Sequence, residues 1–75
     1  MLFKVYKKKL LVNNKLKNKF IATYKSKEKA NNRVFAEIKK ELNDDEFTTQ
    51  TRETEDQIIF DYGKHYEFYI IKKEI

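Results

Sequence analysis

One stretch of this chain repeats its apolar residues at helical spacing, and everything on either side of it repeats at strand spacing. Ala30, Val34, Phe35, Ile38 and Leu42 recur three and four positions apart, a single stripe on a helix. Ser26 stands where an N-cap belongs, and Glu28 in the first turn suits the positive end of the helix dipole. Asn43 falls where a left-handed C-terminal cap would sit. The spacing predicts a helix over 27–42, with Arg33 and Glu37 as i,i+4 neighbours on its flank.

Before that helix, Phe3 and Val5 alternate with Lys4 and Tyr6, so residues 2–12 read as a strand. Asn13-Asn14 is a turn signal, because asparagine tolerates positive φ. Phe20, Ala22 and Tyr24 alternate with Ile21, Thr23 and Lys25, which makes 19–25 the return strand of a hairpin. After the helix, residues 46–54 are rich in β-branched residues but hold one large apolar side chain, Phe47, which suits an edge or half-exposed strand. Residues 57–73 read as a second hairpin. A three-residue loop closed by Gly63 would set Phe60 opposite Lys64 and Ile58 opposite Tyr66. Ile58, Phe60, Tyr66, Phe68 and Ile70 would then share the face that meets the helix. Ile59, Asp61, His65, Glu67, Tyr69 and Ile71 would share the other. The expected fold is α+β: a single helix packed on an antiparallel sheet, in the order β-β-α-β-β-β.

With 75 residues the chain makes one small domain, residues 1–75. It contains no cysteine and no proline, and Gly63 is its only glycine. Thiolate chemistry and disulfide staples are therefore excluded, and one glycine builds no phosphate-cradling loop. His65, the only histidine, lacks companions for zinc or nucleophilic catalysis and reads as a solvated strand residue. Ser26, the only serine, already serves as a cap and has no surrounding nucleophile elbow. Glu41, Asp44, Asp45 and Glu46 cluster at the negative end of the helix. They lack the spacing of a calcium loop, so pairing with lysines or plain solvation is expected. No catalytic residue, metal or cofactor is expected.

The start interrupts its apolar residues with lysines, and the longest apolar run is Phe68 to Ile71. Neither a secretory signal nor a membrane span is expected, and the expected location is the cytoplasm. The opening Met1-Leu2-Phe3-Lys4-Val5-Tyr6 resembles the start of the small epsilon subunit of RNA polymerase in low-GC Gram-positive bacteria. The resemblance ends after those residues, because that subunit is acidic and the first half of this chain is basic.

Net charge is +5, divided unevenly. Residues 1–40 carry 13 basic and 2 acidic side chains, and residues 41–75 carry 4 basic and 10 acidic. Such asymmetry points to an acidic or nucleic-acid partner, or to neutralisation of one half by the other inside the fold. The candidate binding residues are Lys4, Tyr6, Lys7, Lys8, Lys9, Lys15, Lys17, Lys19, Tyr24 and Lys25. Lysines supply salt-sensitive attraction to phosphate, and tyrosines stack or anchor. No ribonucleoprotein motif, GxxG loop or recognition helix accompanies them, and arginine is limited to Arg33 and Arg52. The favoured expectation is a non-catalytic binding module that docks on a host protein or nucleoprotein complex and inhibits or modulates it. A defence nuclease or a polymerase would be such a target. Size and lysine-rich composition resemble accessory proteins of phages and mobile elements. The alternative is a small basic nucleic-acid-binding protein, and an edge strand leaves homodimerisation open.

Overall fold

The computed structural model describes all 75 residues. The elements are β1 (Leu2–Leu10), β2 (Leu16–Tyr24), α1 (Lys27–Leu42), β3 (Gln50–Glu53), β4 (Gln57–Asp61) and β5 (Glu67–Glu74). The strands form one antiparallel sheet in the order β2-β1-β5-β4-β3, with α1 packed on one face. This is the expected α+β arrangement. The shortest dimension is 19 Å. That is room for the sheet and one helix roughly 10 Å across, so the second face of the sheet is bare.

The helix begins and ends where the cap residues place it. Ser26 is extended (φ −120°, ψ 131°), and its Oγ accepts a hydrogen bond from the Lys29 backbone N–H at 3.3 Å. Asn43 is left-handed (φ 51°, ψ 42°), and its N–H donates to the Lys39 carbonyl. Ala30, Val34 and Ile38 are fully buried. Phe35 lies at the border of the stripe, its ring edge-on to Phe60 at 5.8 Å and beside Phe47 at 6.1 Å. The sheet answers with Val5, Ile58, Phe60, Tyr69 and Ile71, and Tyr62 joins them from the loop after β4. These residues are one hydrophobic core, the main source of stability in a chain this size.

The second hairpin departs from the expected register. Ile58 and Phe60 face the helix, but their partners across the ladder are Ile71 and Tyr69. Tyr66, Phe68 and Ile70 therefore leave the core face, and Tyr69 and Ile71 enter it. The cause is the loop, which runs over residues 62–66 rather than three residues. The Asp61 carboxylate accepts a hydrogen bond from the Gly63 N–H at 2.9 Å, and Gly63 takes φ +91°. Tyr66 also adopts positive φ (66°), and its carbonyl accepts from Leu10 N–H at 2.7 Å. The loop spends its extra residues sending the Tyr62 ring into the core, 5.5 Å from Tyr69. Side chains alternate faces along a strand, so an odd shift in partners exchanges its two sides. His65 consequently lies in the exposed loop rather than on a strand.

Three smaller boundaries also move. β1 ends at Leu10, where the turn through Asn14 (φ 63°) is closed by a Leu11 N–H to Lys15 carbonyl bond of 2.7 Å. β2 starts at Leu16 and contains a bulge: Val5 faces Ala22 but Tyr6 faces Phe20, leaving Ile21 as the extra residue. β3 covers only Gln50–Glu53, because Phe47 is used against Phe35 instead of in the ladder.

Candidate interaction surface

The β1–β5 ladder joins the basic and acidic halves. It runs from Leu2 opposite Glu74 to Lys9 opposite Glu67. Lys4 reaches Glu74 at 2.9 Å, Lys7 contacts Glu41 and lies 3.4 Å from Glu67, and Lys9 lies 3.9 Å from Glu67. Lys64 adds its charge, 3.6 Å from both Glu41 and Glu67. Lys39 pairs with Asp45 at 2.8 Å. Of the acidic cluster, Glu41 and Asp45 are paired with lysines, while Asp44 accepts the Glu46 N–H and Glu46 has no ion pair.

Lys7 and Glu41 form the half-buried centre of that network. Burial works against both charges, yet the pair holds Glu41 below and Lys7 above their ordinary pKa values. The Tyr62 hydroxyl lies beside the same carboxylate, and burial pushes its pKa up. Tyr69 is pushed up to about 12, first by burial. Its ring carries the Lys7 ammonium 5.7 Å above the centroid. These groups tie the sheet to the helix.

Alternation along β1 separates the candidate residues. Lys4, Tyr6 and Lys8 point to the bare face. Lys7 and Lys9 point to the helix side, together with Lys17 and Lys19 of β2, their direct partners. Tyr24 is packed against the core, and its hydroxyl accepts a 3.2 Å hydrogen bond from Arg33. Lys15 lies in the first turn and Lys25 at the β2–α1 junction, both exposed. The ten residues thus form two surfaces and an interior contact rather than one patch, because neighbours in a strand look in opposite directions.

The bare face holds what the sequence reading missed. Across the sheet, Phe20 faces Tyr6, Tyr6 faces Ile70, Ile70 faces Ile59, and Ile59 faces Arg52. Tyr6 and Phe20 pack edge-on at 5.5 Å. Phe20 is 54% exposed, while Ile70 is shielded to 3% by its neighbours although it lies outside the core under the helix. Phe68 is next to this row on β5, opposite Lys8. Three cations surround it without a carboxylate partner: Lys8, Lys72 and Arg52. Phe20 was visible as an alternating residue of β2. Phe68 and Ile70 were hidden by the assumed loop length.

No group of three or more metal-ligating side chains comes together, and no helix is long and apolar enough to cross a membrane. Comparison with protein-family models, with curated proteins and with solved structures finds no match for this chain.

Proposed function

We propose that this chain is a non-catalytic module that docks on another protein, with the bare sheet face as the docking surface. One observation carries the reading. An antiparallel sheet with one solvated face ordinarily shows polar residues there, yet this face shows Phe20, Tyr6, Ile70, Ile59 and Phe68. An apolar centre inside a charged rim is the anatomy of a protein interface. Tyrosine and phenylalanine are its usual anchors. The rim carries Lys8, Lys72 and Arg52 unpaired, against Asp61 and a Glu74 already paired with Lys4, so the partner that fits presents an apolar surface edged mainly by carboxylates. Occupying such a surface is sufficient to inhibit or modulate a larger protein or nucleoprotein complex.

The test compares the wild-type chain with a Tyr6→Ala/Phe68→Ala variant in capture from nuclease-treated lysate. A protein enriched only by the wild type is then purified and titrated against both. Loss of affinity by tenfold or more, on the order of 1.4 kcal/mol, supports docking through the bare face. Equal binding by both chains overturns it. So does micromolar binding of a fluorescent oligonucleotide that falls steeply with salt, which is the behaviour of a phosphate binder.

A further inference from the structure

We infer that the outer edge of β2 accepts an extended strand from the partner protein, a strand that alternates acidic and apolar residues. The inference rests on the docking reading and names how the partner is held. β2 is one end of the sheet, and nothing covers its outer side. It offers nine residues, against four in β3 at the opposite edge. The carboxylate of β3, Glu53, is already bound by Lys27 and Lys73 at 2.8 and 2.6 Å.

The main chain of β2 identifies the groups on offer. Leu11 N–H bonds to the Lys15 carbonyl, so odd-numbered residues of β1 direct their backbone toward β2. Lys9–Lys17 and Lys7–Lys19 are therefore the hydrogen-bonded pairs. The N–H and C=O groups of Leu16, Asn18 and Phe20 face outward. Each of these is a donor and an acceptor that an added strand would satisfy.

Side chains define the partner. On the helix side, Lys17 and Lys19 stand directly opposite Lys9 and Lys7, like charges where a sheet prefers opposite ones. Lys9 and Lys7 are ion-paired with carboxylates, whereas Lys17 and Lys19, which share a cleft with Glu67, form no ion pair of their own. Lys19 also lines a groove of about 420 Å³ between β2 and α1, where Glu37 and Glu41 of the helix are matched by Arg33 and Lys7 and Lys40 is left unpaired. On the opposite side of the same strand, Leu16 and Phe20 are half exposed. An added strand thus meets ammonium groups with one set of alternate residues and apolar side chains with the other. Its apolar residues would extend the Phe20–Tyr6–Ile70–Ile59 row by one strand. A second copy of this chain does not meet that description. Antiparallel pairing centred on Asn18 would set Lys17 of each copy against Lys19 of the other, and lysines on an edge act against self-pairing.

The experiment uses the full ¹⁵N-labelled chain and a synthetic peptide alternating glutamate with valine. The control peptide has the same composition in two blocks. The alternating peptide should slow exchange of the outward Asn18 and Phe20 amides by roughly tenfold. The Lys17 and Lys19 amides, already in the β1 ladder, should change little. Reversing the charges with Lys17→Glu/Lys19→Glu should abolish this protection and transfer it to a lysine–valine peptide. Equal protection by the blocked peptide overturns the inference, as does a concentration-dependent dimer whose interface is β2. A partner that is retained by Lys17→Glu/Lys19→Glu but lost by Tyr6→Ala/Phe68→Ala overturns edge pairing alone and leaves the docking reading standing. A partner retained by both variants overturns the two together.

Discussion

The Lys7 ammonium, from the middle of β1, meets the Glu41 carboxylate in the last turn of α1, 34 residues later in the chain. Both side chains are about four-fifths buried, at 22% and 18% exposure. The contact joins the first strand to the end of the only helix, and Lys64 and Tyr62 complete it from the loop before β5. Removing either charge leaves the other in a half-dry site. Lys7→Met and Glu41→Gln should each cost about 1–3 kcal/mol. The double variant should cost less than the sum, because the second substitution removes a charge that has already lost its nearest partner. Denaturant titration of the four proteins checks the cycle, and strict additivity would show that the pair is not coupled.

The same site predicts the pH dependence of stability. Glu41 has a depressed pKa in the folded state, so its contribution is present above the ordinary carboxylate value of 4.5 and is lost as pH falls through the depressed one. On the alkaline side the signs are reversed. Lys7 and Tyr69 have raised pKa values, so the folded chain holds their protons more tightly than the unfolded chain does. Stability is lost as pH rises, for Tyr69 from its ordinary 10.0 towards about 12. Thermal unfolding against pH should show a plateau with a fall at each end. In Glu41→Gln the acid fall should be shallower. An unchanged acid limb would place the titrating group elsewhere.

Asn43 ends the helix in a left-handed conformation, φ 51°. A side chain without a local hydrogen bond pays steric strain there. Asn43→Ala should lower stability by about 1 kcal/mol, and Asn43→Gly should be neutral or better, since glycine adopts this conformation freely. Thermal melts of the two variants check the order, which would be reversed if helix propensity outweighed the cap.

The helix was legible because both of its ends are written in local chemistry. Ser26 and Asn43 carry their signals within a few residues, and the Ala30–Val34–Ile38 stripe needs no partner to be recognised. The second hairpin was not legible, because its register depends on a loop whose length is decided by a distant contact. Tyr62 is drawn into the core by Tyr69 and the helix end, and no local rule reports that. The consequence reaches the surface: a three-residue loop places Phe68 and Ile70 in the core, and only the longer loop puts them on the bare face. The basic residues were found, but a run such as Lys7-Lys8-Lys9 reads as one patch only when strand alternation is ignored. Long-range pairing to Glu41, Glu67 and Glu74 engages Lys4, Lys7 and Lys9, although Lys9 stays exposed.

The register itself is testable. Ile71 is fully buried under the helix, whereas Phe68 lies on the bare face. Ile71→Ala should cost about 2–5 kcal/mol, the range for truncating a buried aliphatic side chain. Phe68→Ala removes a larger ring yet should cost less, because it opens no cavity in the core. Chemical denaturation of both variants decides the matter, and the opposite order would restore the shorter loop with Phe68 inside.

Phe20, the exposed end of the apolar row on the bare face, should contribute little to folding. Phe20 is more than half exposed, and threonine is an equally good strand former at an edge. Phe20→Thr should change stability by no more than about 0.5 kcal/mol, while Ile38→Ala, fully buried in α1, should cost about 2–5 kcal/mol. On the proposed docking reading, Phe20 serves contact with a partner rather than the fold. The same Phe20→Thr variant should therefore bind the captured partner more weakly while melting at nearly the wild-type temperature. Calorimetric melting and a binding titration on one preparation measure both. A large loss of stability would make Phe20 a packing residue of the Tyr6 ring and remove it from the docking surface.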